Sequence, residues 1–173
     1  MAPGRVILIH GASSAGKSTL ARAVREALPA PFVHLTFDQL IDSGALPRGA
    51  GWAAVRARVF DGWHRAVAAM GAAGVDVVWD HIIETPEWHE ALRAVLAGRD
   101  VFFVALHCDL AELARREAGR ADRAAGDAAR DAGVVHLGKR YDLELRGEDA
   151  AVVNAARVVE AWERRAGVSA FFG

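Results

Sequence analysis

The stretch Gly11-Ala12-Ser13-Ser14-Ala15-Gly16-Lys17-Ser18, directly after the apolar run Val6-Ile7-Leu8-Ile9, constrains this chain more than any other part of it. The spacing is G-x-x-x-x-G-K-[S/T], a phosphate-cradling loop set between a buried strand and a helix. Gly11 and Gly16 let the backbone wrap closely around a phosphate, so that successive N–H groups point inward. The positive end of the following helix adds to that attraction. Lys17 can reach the β- and γ-phosphates, and the Ser18 hydroxyl can ligate Mg²⁺. A Gly/Ser-rich turn could match the pattern by chance, but the strand before it and the helix after it argue against that. Gly11 through Thr19 are therefore expected to hold a nucleoside triphosphate with Mg²⁺.

A chain of 173 residues is expected to form one domain with a substantial core. Its net charge of −1 gives no general case for a nucleic-acid or membrane partner. Lys17 and Lys139 are the only lysines, and arginine meets every other cationic need, which makes a lysine at the motif position telling. The single cysteine, Cys108, excludes an internal disulfide and reads as a small apolar residue at a strand end. No N-terminal signal is read, because the first apolar run ends in the glycine loop. A cytoplasmic setting is the expectation.

Apolar strand-like runs alternate with helical patterns, which predicts a parallel sheet in an α/β fold. Strands are expected at Arg5–His10, Phe32–Leu35, Val75–Trp79, Val101–Leu106 and Tyr141–Leu145. Helices are expected at about Gly16–Leu28, Asp38–Ile41 and Trp52–Ala73. A further one starts at Thr85 and Pro86 and runs to Gly98, and another opens at Asp109 with a capping-box pattern to Glu112. Ala150–Arg165 closes the chain as a helix, while residues 116–132, rich in Ala, Arg and Asp, are expected outside the core.

Asp80 ends an apolar strand, where an acid can fix Mg²⁺ at the ligand-binding edge of the sheet or simply cap a loop. Asp76, inside that strand, is expected to face solvent. Asp38 follows the second strand. If that strand neighbours the first, Asp38 can orient or deprotonate a substrate hydroxyl while also capping the short helix. Arg116, Arg120 and Arg123 share one helix face, able to close over a nucleotide or to remain a solvated face; pattern alone favours the second. The seven histidines show no metal-ligand spacing. Of Trp52, Trp63, Trp79 and Trp88, one or two are expected at the acceptor site.

These residues resemble the chloramphenicol phosphotransferase family of small P-loop kinases, over nearly the whole chain. Gly11 to Ser18 resembles its G-x-S-S-A-G-K-S loop, in which the paired serines are the distinctive part. Phe37-Asp38-x-Leu40 matches its aspartate-leucine stretch, and Asp80 its acidic pair, with His81 in the second place. Arg116-Glu117-x-x-Arg120-x-Asp122-Arg123 matches its lid segment, and Val134-Val135-His136 with Tyr141-Asp142-x-Glu144 another of its runs. The departures, residues 42–62 and His81-Ile82-Ile83, fall where an acceptor would bind.

The resemblance implies a P-loop, nucleotide-kinase-like fold: a five-stranded parallel sheet flanked by helices, with a small arginine-rich lid at about 114–133. It implies transfer of the γ-phosphate of ATP to a hydroxyl of a small molecule such as an antibiotic. Asp38 would be the base, with Lys17, Arg120 and Arg123 beside it in catalysis. Arg116 and Arg120 would join the loop in holding nucleotide, and Ser18 and Asp80 would hold Mg²⁺. Two other readings stay open. One is a metabolic or nucleotide kinase of the same fold, for which Arg48, Arg56 and Arg58 are the obvious extra cations. The other is an ATP-binding regulatory module that transfers nothing.

Overall fold

Buried apolar runs and amphipathic segments alternate along the chain and assemble into a parallel sheet covered by helices on both faces. The computed structural model describes residues 2–119 and 126–173. The strands are β1 (Val6–His10), β2 (Val33–Thr36), β3 (Val77–His81), β4 (Val101–His107) and β5 (Leu143–Arg146). Their order in the sheet is β2-β3-β1-β4-β5, and every pairing is parallel. The helices are α1 (Lys17–Ala27), α2 (Asp38–Asp42), α3 (Ala50–Ala72), α4 (Pro86–Val95), α5 (Leu110–Ala118), α6 (Asp127–Ala132) and α7 (Ala151–Arg164).

All five residues of β1 are buried, as expected of a central strand packed on both sides. Ile7, Ile9, Phe102 and Val104 meet α1 and α7 through Leu20, Val24, Val158 and Trp162. Val6, Leu8, Trp79 and Phe103 meet Val67 of α3, Leu92 of α4 and Phe171 on the other face. Strand direction then brings the C-terminal ends of β1, β2 and β3 to one edge, in register: Ile9 pairs with Asp80, and Asp80 with Thr36.

Several expectations change. β2 does not neighbour β1, because β3 lies between them. β3 itself starts at Val77 rather than Val75, so Asp80 and His81 are its last two residues. Asp76 does not face solvent: both carboxylate oxygens receive hydrogen bonds from Arg5 at the opposite edge of the sheet. The Asp109 side chain makes no cap; it accepts from Arg146, while Glu112 pairs with Arg115 and Arg116. Three arginines outcompete the backbone N–H groups for those carboxylates. Residues 116–132 are not all outside the core, since Ala128 is fully buried and Asp131 nearly so.

Asp142 anchors the C-terminus. Its Oδ2 accepts from Phe103 N–H at 2.7 Å and from the Ser169 hydroxyl, and its Oδ1 accepts from Ala170 N–H at 2.7 Å. This seats the 3₁₀ turn Ala170–Phe172, whose Phe171 packs edge-on against Phe103. Asp142→Ala strands the Phe103 N–H and loosens that turn, so it is expected to cost about 2–3 kcal/mol. Urea denaturation checks this, and an unchanged midpoint would show that Phe171 packing and the Arg93 bond to Phe171 O hold the C-terminus without Asp142.

Candidate functional site

The loop between β1 and α1 is shaped by contacts that tolerate no substitution of its first glycine. A Cβ on Gly11 would lie 2.4 Å from Leu106 O of β4. Gly16 and Ser14 both adopt positive φ, 98° and 63°, which turns the chain back on itself before α1. Lys17 Nζ donates to Ala12 O at 2.7 Å, bridging the loop. The hydroxyls of Ser13 and Ser14 are buried and, among the described residues, bond to nothing. Such a loop presents backbone N–H groups, orphaned hydroxyls, an ammonium and a helix N-terminus together. That donor set suits a polyphosphate.

Ser13, Ser14, Gly16, Lys17, Ser18 and Thr19 line one end of a cleft of about 700 Å³, which Asp38 and Asp80 also line. Asp80 is 3% exposed, yet neither carboxylate oxygen receives a hydrogen bond among the described residues. His34 Nε2 stands 3.6 Å from its Oδ2. Burial opposes ionisation of Asp80, but His34, Ser18, Thr36 and the charge of Lys17 together outweigh it and hold the carboxyl below its ordinary value. An ionised, buried and unsatisfied carboxylate beside a serine hydroxyl is an oxygen donor pair suited to a hard divalent cation. Both Asp80 and Ser18 thus fit Mg²⁺.

Gly11 and Ala12 lie beneath the loop, buried, and do not line the cleft. Ala15 lines a second, smaller cleft of about 380 Å³ on the far side of the loop, together with Arg116 and Gly147. Arg116 is the linchpin there. Its Nη1 donates to Ala15 O at 3.0 Å, its Nη2 to Gly147 O at 2.8 Å and its Nε to Glu112 at 2.6 Å. Gly147 must be glycine, because a Cβ would sit 2.6 Å from Ala15 O. Arg120 and Arg123, the other lid arginines of the sequence reading, lie outside the described residues.

Against this geometry the comparisons are consistent. The model of the "Chloramphenicol phosphotransferase-like protein" family matches residues 4–163. The chain belongs to that family. A relative in Mycobacterium tuberculosis, named "Putative O-phosphotransferase", is 31% identical over 84% of this chain and 76% of its own length. Among solved structures, the APS kinase of Mycobacterium tuberculosis superposes with a TM-score of 0.71 at 23% identity, covering 94% of this chain and 99% of that one. A gluconokinase from Sinorhizobium meliloti gives 0.57 at 19%, covering 94% and 97%. The fold is that of the P-loop kinases, and membership of the family makes the chain a small-molecule phosphotransferase by class.

Several residues of this family member's cleft were not singled out by sequence reading. His34 and Thr36 flank Asp80, and only the β2–β3 pairing brings them there. Asp131 of α6 accepts from Ser13 N–H at 3.1 Å, tying α6 to the phosphate loop. Phe60 and Glu84 line the acceptor side with Trp52 and Arg56. Arg48 and Arg58 do not line it. Of the tryptophans, Trp52 lines the cleft, whereas Trp79 is fully buried.

The histidines, scattered in sequence, gather in space. His64 Nε2 lies 2.8 Å from His81 Nε2, and the His10 ring lies 5.3 Å from that of His136. Among the described residues no group of three or more His, Cys, Asp or Glu is placed to hold a metal. Burial, with Glu148 nearby, pushes the Cys108 thiol up to about 11, so it is no nucleophile at neutral pH. Among the same residues no helix is long and apolar enough to cross a membrane.

Proposed function

We propose that this protein transfers the γ-phosphoryl group of ATP to a hydroxyl of a small molecule of the antibiotic kind. The observation that carries this reading is Asp80: a buried carboxylate that accepts no hydrogen bond among the described residues, in the same cleft as Lys17 and Asp38. Such a group suits a cation, and the phosphate loop beside it supplies the reason for one.

The loop N–H groups and Lys17 hold the phosphates, and Arg116 braces the loop against the β5–α7 turn. Ser18 and Asp80 hold Mg²⁺, which when bound neutralises charge on the phosphate oxygens. Asp38, at the start of α2, positions the acceptor hydroxyl and takes its proton as the oxygen–phosphorus bond forms. Arg120 and Arg123 would add positive charge over the transferred group, as the family's lid pattern implies. Excluding water from the cleft would limit hydrolysis.

The test incubates the protein with γ-labelled ATP, Mg²⁺ and a panel of antibiotic and metabolite alcohols, then separates the products. Label is expected on one alcohol class. Lys17→Ala is expected to lower kcat/KM for ATP by about 10²-fold or more, since it removes the charge that follows the γ-phosphate. Wild-type turnover in that variant, or ATP binding with no labelled alcohol, would overturn the reading and favour a module that binds nucleotide without transfer.

A further inference from the structure

β2 is an edge strand, where a polar ring could turn out to water, yet the side chain of its His34 is only 10% exposed. We propose that His34 is the positioning residue of the cation site: its Nε2–H holds Oδ2 of Asp80, so that the carboxylate meets Mg²⁺ through Oδ1 alone. This proposal rests on the reading of Asp80 and Ser18 as cation ligands and extends it to the group that orients one of them.

The sheet register brings the two side chains together. Pairing of β2 with β3 sets His34 beside Val78 and Thr36 beside Asp80. Residues two apart along a strand share a face, as do partners in register, so all four point the same way. Val78 packs with Leu20 and Val24 of α1, which marks that face as the α1 side. Helix α1 begins with Lys17 and Ser18. His34, Ser18 and Asp80 accordingly line one cleft.

Two buried polar groups then face each other without partners. Among the described residues His34 Nε2 makes no hydrogen bond, and neither does either oxygen of Asp80. The 3.6 Å between Nε2 and Oδ2 is just beyond hydrogen-bond length, and a small rotation of either side chain closes it. Unmet buried groups cost about 1–3 kcal/mol each, so their pairing is favourable once Asp80 is drawn into service. A neutral imidazole carries a single N–H. A ring lone pair turned toward the carboxylate would be repelled, which puts that hydrogen on Nε2.

Direct ligation by His34 fits less well. A hard cation takes oxygen, and among the described residues no group of three or more His, Cys, Asp or Glu is placed to hold a metal. Mg²⁺ demands near-octahedral geometry and keeps several of its waters, which one carboxylate oxygen serves better than two. A donor seated on Oδ2 enforces that choice.

The experiment dialyses a non-hydrolysable ATP analogue against the full chain, once with saturating Mg²⁺ and once with EDTA. The ratio of the two dissociation constants is the gain in affinity that the metal gives. His34→Leu, of similar bulk but with no donor, is expected to cut that gain by about 10-fold while leaving the EDTA value within about 3-fold of wild type. His34→Gln, whose amide can donate from the same region, should keep the gain. A merely structural role would move the EDTA value as well. Loss of the gain in both variants or in neither, or an EDTA value in His34→Leu that shifts as far as the Mg²⁺ value, overturns the proposal. Asp80→Asn separates it from the reading beneath. If that variant loses the gain and His34→Leu keeps it, the cation site stands and this proposal falls. If wild type shows no gain, or Asp80→Asn retains it, the cation site falls and this proposal with it.

Discussion

Asp38→Asn is expected to lower kcat for phosphoryl transfer by about 10²–10⁴-fold while leaving ATP affinity within a few-fold of wild type. Asparagine keeps the size and one acceptor oxygen of the native side chain, so the acceptor still docks. It cannot take up the hydroxyl proton as the new bond to phosphorus forms. In the proposed mode the nucleotide would be held elsewhere, by the loop from Gly11 to Thr19 and by Lys17, with Arg116 behind it. The split is therefore the diagnostic: kcat measured with labelled ATP should collapse, and equilibrium dialysis of ATP should not change. Phosphoryl-transfer transition states are loose, so part of the loss reflects positioning rather than basicity. Asp38→Glu, which keeps the proton acceptor but displaces it, measures that part. Unchanged turnover in Asp38→Asn would remove Asp38 from the reaction.

Acidification from pH 7.5 to 5.5 is expected to destabilise the fold by a few kcal/mol, a large share of a typical domain's stability. The cause is a set of buried neutral histidines: His10, His64, His81 and His89. Burial lowers all four, His64 and His89 to about 4 and the other two well below their ordinary value. His10 is fixed in one tautomer. Its Nδ1 accepts from Ile83 N–H at 3.2 Å, so its Nε2 carries the hydrogen donated to Val135 O at 2.9 Å. Between His64 and His81, one ring must donate to the other's lone pair.

Unfolding frees each ring to bind a proton near pH 6.5, whereas folded His64 and His89 resist until about pH 4, and burial lowers His10 and His81 in the same direction. Between those values the unfolded state holds more protons. Stability is thus complete above about pH 6.5 and is lost as the pH falls, by on the order of 1 kcal/mol per histidine at pH 5.5. The carboxylates with lowered values, such as Glu112 beside Arg115 and Arg116 at about 2, respond only below this window. Urea midpoints at pH 7.5 and 5.5 check the expectation. A constant midpoint would show that the buried rings are charged or hydrated.

The alternation of apolar runs and amphipathic segments was enough to read the fold class, and the elements lie within a few residues of where the pattern puts them. β3 shows why boundaries move: Val75 and Asp76 belong by composition to the strand, but the ion pair with Arg5 holds Asp76 at the sheet's rim. The Asp109–Glu112 cap failed for a similar reason, because nearby arginines competed for both carboxylates. Local pattern cannot see partners that arrive from 37 or 71 residues away. The aromatic stack and the histidine pair were invisible for the same reason, since Phe37, Phe60, His64 and His81 meet only when α3 lies across β3.

The phosphate loop could be recognised from residues 11–18 alone, because its chemistry depends on backbone shape and on contiguous donors. A cradle of consecutive N–H groups is a local object. The Mg²⁺ and acceptor sites are not. Asp80 was legible in the sequence as either a cation ligand or a loop cap, but only the place of β3 between β1 and β2 buries its carboxylate among His34, Thr36 and Ser18. Asp38 and Trp52 became one surface only once α2 and α3 lined a common cleft. Donor recognition is written in adjacent residues, whereas acceptor recognition is assembled from distant ones by the packing that buries the sheet.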